Sequence, residues 1–141
     1  MDIDIAFQPF GENGASWTLG RRIVEIRSGR YEDLLAAIGF VTSSGTARLG
    51  AAIRSLVDAG GRARFVCGVG NGVTSRQAVE HLLHAGGTVC GVAPGPGLLF
   101  HQKVIRMCGP SAGLLIVGSN NLTADGLFRH FEGAAILSLD Q

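Results

Sequence analysis

Ala36–Val41 reads AAIGFV and runs directly into TSSGT (Thr42–Thr46), after which Leu49, Ile53, Leu56 and Val57 recur at helical spacing as far as Gly60-Gly61. An unbroken apolar run is what a strand covered on both faces requires. The recurrence that follows gives a helix one apolar side, and the glycine pair stops it. The pattern repeats in kind. Ala63–Val69 predicts a second buried strand, Gly70–Val73 a loop, and Ser75–Ala85 a helix with Val79, Leu82 and Leu83 inward. Thr74 with Gln77 resembles a capping box at its start, and Thr88–Ala93 predicts a third strand. Strands alternating with helices imply parallel pairing through helical crossovers.

Outward from this unit the pattern changes. Upstream, Ile3, Ile5 and Phe7 alternate as in a strand, residues 11–16 (GENGAS) read as a turn, and Arg22–Arg27 alternates again. Downstream, PGPG (Pro94–Gly97) breaks the chain and Leu99–Met107 predicts a longer strand. CGPSAG (Cys108–Gly113) reads as a turn, Leu114–Gly118 as its hairpin partner, Asn121–Arg129 as holding a short helix and Ala134–Leu139 as a last strand. The expected class is α/β on a mixed sheet.

The 141 residues fit a single domain, 1–141. Hydrophobic residues are 46% and charged residues 16%, against roughly 25% charged in an average soluble protein. That excludes a disordered polyelectrolyte. A net charge of +1 excludes a strongly basic coat, so any grip on phosphate must come from local placement. Cys67, Cys90 and Cys108 are odd in number, widely spaced and in or beside apolar segments. They read as buried reduced thiols of a cytosolic protein. The start, MDIDIAFQPF, is acidic where a signal peptide is basic, and no apolar run reaches about 18 residues. The expected compartment is the cytoplasm, with no membrane partner.

The chemistry gathers in the second half. His101 and Lys103, two apart on a predicted strand, share a face. Ser119 and Asn121, two apart at the end of the partner strand, do the same. Together they bring an imidazole, an ammonium, a hydroxyl and an amide to one small volume. That set suits gripping an anionic tetrahedral group and attacking it. Lys103 is the sole lysine among 12 basic residues, which marks a place for a compact point charge rather than a planar fork.

HQK (His101–Lys103) with GSNN (Gly118–Asn121), followed by Glu132 in FEGAAIL, resembles the phospholipase D superfamily, whose signature is H-x-K and then G-S-x-N. The resemblance spans 34–139 and implies a phospholipase D-like mixed β-sheet sandwiched between α-helices. A short chain with one such motif is similar to the small bacterial nucleases of the superfamily. It is also similar to the nuclease domains of metal-independent restriction enzymes, where NLT-x-x-G-L followed by an acid recurs; here that is Asn121–Leu127 and then Glu132. The roles implied are these. His101 attacks phosphorus and forms a covalent phosphohistidine. Lys103 and Asn121 hold the non-bridging oxygens. Ser119 adds a hydrogen bond, and Glu132 accepts one from a His101 ring. Neither metal nor cofactor is implied. Displacement at phosphorus needs an acid opposite the nucleophile, so a one-motif chain implies a homodimer with two His101 rings at its interface. The sequence departs from the signature at Cys108, where the family carries an acid that the resemblance assigns to bracing the turn, and in a longer turn before Gly118.

Ser43, Ser44, Arg106, Arg129 and His130 are further candidates for substrate contact. GVGNG (Gly68–Gly72) sits where a dinucleotide loop would, but Val73 occupies the place of the third glycine, so it reads as a tight βα turn. His81 and His84 read as solvated helix residues, and Trp17 and Tyr31 are too far apart for a stacking platform. The expected function is a metal-independent phosphodiesterase, a nuclease hydrolysing DNA. The alternatives are a catalytically inactive DNA-binding or assembly domain, on account of Cys108, and a phospholipase or phosphatidyltransferase. The end at Asp140-Gln141 would suit an N-terminal domain with partner domains beyond it.

Overall fold

A computed structural model describes residues 1–9 and 18–140; residues 11–16, read above as a turn, and Trp17 lie outside them. Seven strands form one mixed sheet: β1 (Asp2–Gln8), β2 (Asp33–Ile38), β3 (Arg62–Gly68), β4 (Thr88–Val92), β5 (Lys103–Cys108), β6 (Ala112–Gly118) and β7 (Glu132–Asp140). Their order across the sheet is β1-β7-β6-β5-β2-β3-β4. The run β2, β3, β4 is parallel, and every other pairing is antiparallel. The helices are α1 (Leu19–Val24), α2 (Ser43–Asp58), α3 (Arg76–His84) and α4 (Ala124–Phe128). The β-α-β-α-β reading of the first half is realised.

The helices lie together. α2 packs on α1, α3 and α4, which it could not do across a sheet, so all four cover one face. Along the strands the residues turned to that face are buried: Leu34, Ala36 and Ile38, then Ala63, Phe65 and Cys67, Ile105 and Met107, Leu114 and Ile116. The mixed sheet and its helices are as expected, but the helices form one layer, and among the described residues none lies on the other face. Ile3, Ile5 and Phe7 do alternate in a strand, yet they point to that open face and are 57–66% exposed, while Ala6 and Gln8 point inward. Likewise Leu35 and Ala37 are only half-buried, so β2 is not covered fully on both faces.

Four other local expectations are corrected. Arg22–Arg27 is not extended; it spans the end of α1 and a 3-10 turn at Glu25–Ser28, where Arg22 pairs with Glu25 one turn on. Ser75, not Thr74, caps α3 by accepting from the Ala78 amide, and Thr74 Oγ1 instead accepts from the Val41 amide at 3.1 Å. Leu83 is exposed because the buried stripe of that short helix runs through Ala78 and Leu82. Of the three free cysteines Cys67 is buried, but Cys90 is exposed, since β4 is an outer strand. Burial first, then the neighbouring Cys90, pushes the Cys67 thiol up to about 11. Among the described residues no helix is long and apolar enough to cross a membrane.

α2 begins hard against the strand ends that carry the chemistry. Thr42 caps it, accepting from the Gly45 amide, and a Cβ on Gly45 would lie 2.2 Å from the Leu122 carbonyl oxygen and 2.8 Å from Thr123 Cα. Backbone cannot yield there as a flexible side chain would. Gly45→Ala is expected to lower stability by about 1–3 kcal/mol, measured by urea denaturation; an unchanged midpoint would contradict this packing.

Candidate active site

The residue after β2 and Gly39 organises the site. Phe40 lies at the carboxyl end of a parallel strand, where open α/β sheets place their ligands. Its ring meets the His101 ring edge to face at 5.4 Å between centroids, and Lys103 Nζ stands 5.6 Å from the same ring's centroid. Its amide donates to Asn121 Oδ1 at 3.2 Å, and its carbonyl accepts from the Leu122 amide at 3.1 Å. One aromatic residue thus touches the imidazole, the ammonium and the amide that the sequence singles out. With Oδ1 engaged, Asn121 has its Nδ2 donor end to offer a ligand.

His101 reaches this point by a route other than the expected strand. β5 begins only at Lys103, and Leu98–Gln102 lies outside it. The approach depends on Gly39, where a Cβ would come within 2.9 Å of the Phe100 carbonyl oxygen and 3.1 Å of His101 Cα. The Gly39 amide donates to Gln102 O at 2.7 Å, and Lys103 Nζ turns back to donate to the His101 carbonyl at 3.0 Å. The two side chains share a site by this loop geometry rather than by strand alternation.

Ser119 and Asn121 diverge instead of pointing one way. Asn121 turns to β2 through Phe40. Ser119 Oγ donates to Glu132 Oε2 and accepts from the Gly133 amide at 3.2 Å, turning to β7. Glu132 therefore does not hold the ring of its own chain's His101. It opens β7, which β6 separates from β5, and its carboxylate takes the serine hydroxyl across the nearer gap. Glu132 still acts on Lys103. Burial lowers the Lys103 pKa from the ordinary lysine value, and the Glu132 charge partly opposes that.

The remaining candidates divide. Ser43 and Ser44 open α2, beginning two residues past the parallel bridge between Val41 and Leu122, so they flank the cluster. Ser44 Oγ lies 3.1 Å from the capping Thr42 Oγ1. Arg106 does not join it. β5 runs antiparallel to β2, so three residues beyond Lys103 the chain is about 10 Å away. There Arg106 donates to Asp33 Oδ2 at 2.7 Å, beside Arg64 at 2.9 Å and Arg62 at 3.5 Å. Burial alone would raise the Asp33 pKa, but the hydrogen bonds from Arg106 and Arg64 outweigh it and hold it low. Arg129 and His130 lean outward on Asp125, at 3.2 and 4.0 Å. His81 is exposed, with Nδ1 3.2 Å from Thr46 Oγ1.

Sequence reasoning missed Gly39, Phe40 and Asn71. Asn71, inside GVGNG, donates from Nδ2 to the carbonyls of Gly39 and Gly68 at 3.0 Å each, and its Oδ1 accepts from the amides of Val73 and Thr74 at 2.9 Å each. The loop is indeed a tight βα turn, and it braces the end of β2. A glycine and an aromatic closing an apolar strand just before TSSGT was the available signal.

No family model matches the chain, and no curated protein matches it. Solved structures do. The chain is similar to Nuc from Salmonella typhimurium, described as a phospholipase D family member, at 14% identity and TM-score 0.66, over 99% of this chain and 84% of that one. It is similar to NucT from Helicobacter pylori at 17% identity and TM-score 0.63, over 99% and 87%. It is similar to yeast tyrosyl-DNA phosphodiesterase at 11% identity and TM-score 0.60, over 97% of this chain and 32% of that one. The fold is that of the phospholipase D superfamily.

Because Lys103 is the only lysine, its side-chain resonance can be titrated without ambiguity. Glu132 raises the Lys103 pKa against burial; removing that charge in Glu132→Gln must lower it further. The midpoint is expected to move to lower pH, and a rise or no change would contradict the coupling.

Proposed function

We propose that the chain is a metal-independent phosphodiesterase that hydrolyses nucleic acid, DNA in the first instance, through a phosphohistidine on His101. The observation that carries this reading is the gathering of His101, Lys103 and Asn121 on Phe40, with Ser119 and Glu132 bonded to each other at the end of the adjoining strands. A nitrogen nucleophile, a half-buried ammonium and an amide donor fit a phosphodiester with one charge to neutralise. The likeness in fold to a tyrosyl-DNA phosphodiesterase favours nucleic acid over lipid.

In the first step the lone pair of a His101 ring nitrogen forms a bond to phosphorus while the bond to the leaving oxygen breaks. That oxygen takes its proton from the imidazolium of a second His101 opposite. In the second step the same imidazole, now neutral, accepts a proton from water, the water oxygen bonds to phosphorus, and the nitrogen–phosphorus electron pair returns to His101. Lys103 and Asn121 Nδ2 hold the non-bridging oxygens throughout, and they replace the role a metal would otherwise fill. Ser119 and Glu132 supply a hydrogen-bonding pair at the edge of the same volume.

One chain holds one such histidine, so the second comes from a second copy. Exposed apolar side chains rim the site end of the sheet, where a copy would seat: Leu98 at 71% and Leu99 at 56% beside His101, and Phe7 at 61% beside Glu132. Light scattering is expected to give a dimer. Leu98→Asp is expected to shift it toward monomer with cleavage falling in parallel; a monomer that cleaves undiminished would contradict the shared site.

Plasmid and single-stranded DNA in EDTA are expected to be cut by the wild type and left intact by His101→Ala, with Lys103→Ala slower by about 10²–10³-fold. Cleavage that requires magnesium would overturn the mechanism. Binding without cleavage would favour the alternative that the sequence suggests at Cys108, an inactive DNA-binding domain.

A further inference from the structure

Gln8 and Asn120 are polar side chains buried to 1% and 2% exposure, and neither is explained by the chemistry above. Gln8 Nε2 donates to Gly126 O at 3.0 Å and to His130 O at 3.2 Å. Its Oε1 accepts from the Leu19 amide at 3.0 Å and from Asn120 Nδ2 at 3.3 Å. Asn120 Nδ2 also donates to Gly126 O at 2.8 Å. Both partners of that nitrogen are acceptors, so the Asn120 amide has one permitted orientation. Its Oδ1 is then buried with no hydrogen-bond partner among the described residues.

An unpaired buried oxygen destabilises, and an apolar side chain of the same shape would not carry that cost. Its two Nδ2 hydrogen bonds are set against that cost, so stability alone does not single out Asn120. Position does. Asn120 stands between Ser119 and Asn121, and the His130 carbonyl held by Gln8 lies two residues before Glu132. A single carboxamide on the inner face of β1 thus fixes both limbs of the site, the one that presents Ser119 and Asn121 and the one that presents Glu132. The two neighbours of Asn120 turn to opposite sides, Ser119 to β7 and Asn121 to Phe40. We infer that Gln8 and Asn120 are positioning residues, a buried amide pair that sets the spacing of Ser119, Asn121 and Glu132. Its catalytic consequence rests on the phosphodiesterase reading; its geometric consequence does not.

Two backbone amides report that geometry without substrate. The Phe40 amide donates to Asn121 Oδ1 and the Gly133 amide to Ser119 Oγ, each at 3.2 Å. In Gln8→Met and Asn120→Leu, chosen to keep shape, hydrogen exchange at these two amides is expected to quicken by about tenfold or more. The amides of Ile105 and Ile136, in the strands beside them, are expected to stay within about twofold. On DNA, kcat is expected to fall by about tenfold or more with KM nearly unchanged, and the double variant to lose less than the product of the singles. Exchange unchanged at Phe40 and Gly133, or raised equally in all strands, would overturn the inference whether or not the protein cuts DNA. Faster exchange at those two amides in a protein whose wild type cuts nothing would uphold the inference and sink the phosphodiesterase reading. Should Gln8→Met fail to fold, Asn120→Leu, which removes only the Nδ2 contacts, decides alone.

Discussion

Four residues leaving the carboxyl end of β2 hold the molecule's two halves in register, and they do so through backbone groups. The Gly39 amide goes to Gln102 and its carbonyl receives Asn71. The Phe40 amide goes to Asn121 and its carbonyl receives Leu122. The Val41 amide goes to Thr74, and the Thr42 amide to Leu122. Buried backbone polar groups must be paired, and here the pairing is made with three separate stretches of chain instead of one neighbouring strand. The segment after β3, the run before β5 and the loop after β6 are all drawn to one place. His101 and Asn121 are side chains of two of those stretches, so the geometry of the candidate site follows from how a strand end satisfies its hydrogen bonds.

Charge is distributed to match. The sheet carries three arginines against Asp33 near the start of β2, far along the strands from the cluster. That leaves the only lysine as the cation at the site end of β5. Lys103 is half-buried beside Phe40, with its pKa lowered by burial and sustained in part by Glu132. A compact charge in such a place interacts more strongly with a phosphodiester than the same charge in water.

The residue types of the site were legible in the sequence; the way they are assembled was not. Period and punctuation gave α2, β3 and α3, and set the strand of AAIGFV at Ala36–Val41 where β2 runs Asp33–Ile38, because each is a local pattern closed by glycine or capped by a hydroxyl residue. HQK and GSNN were legible because their spacing is short. The expected strand over His101 failed because its apolar run, Leu98-Leu99-Phe100, is held by a tertiary approach to Gly39, and no periodicity encodes that. Ile3, Ile5 and Phe7 gave the right strand and the wrong face, since alternation tells which residues lie together but not which side the helices cover. Gln8 was invisible for the opposite reason. A lone glutamine on a strand carries no signal until α1, α4 and the loop after β6 close around it.

The claim that rests on all of this is that His101 bonds to phosphorus. Rapid denaturation during turnover of a DNA substrate in EDTA, followed by mass spectrometry of the peptide containing His101, tests it directly. The account predicts a nucleotidyl adduct on the His101 ring that accumulates within one turnover and forms about 10²–10³-fold more slowly when Lys103 is replaced by alanine. Active enzyme with no adduct there, or with the adduct on another residue, would contradict it.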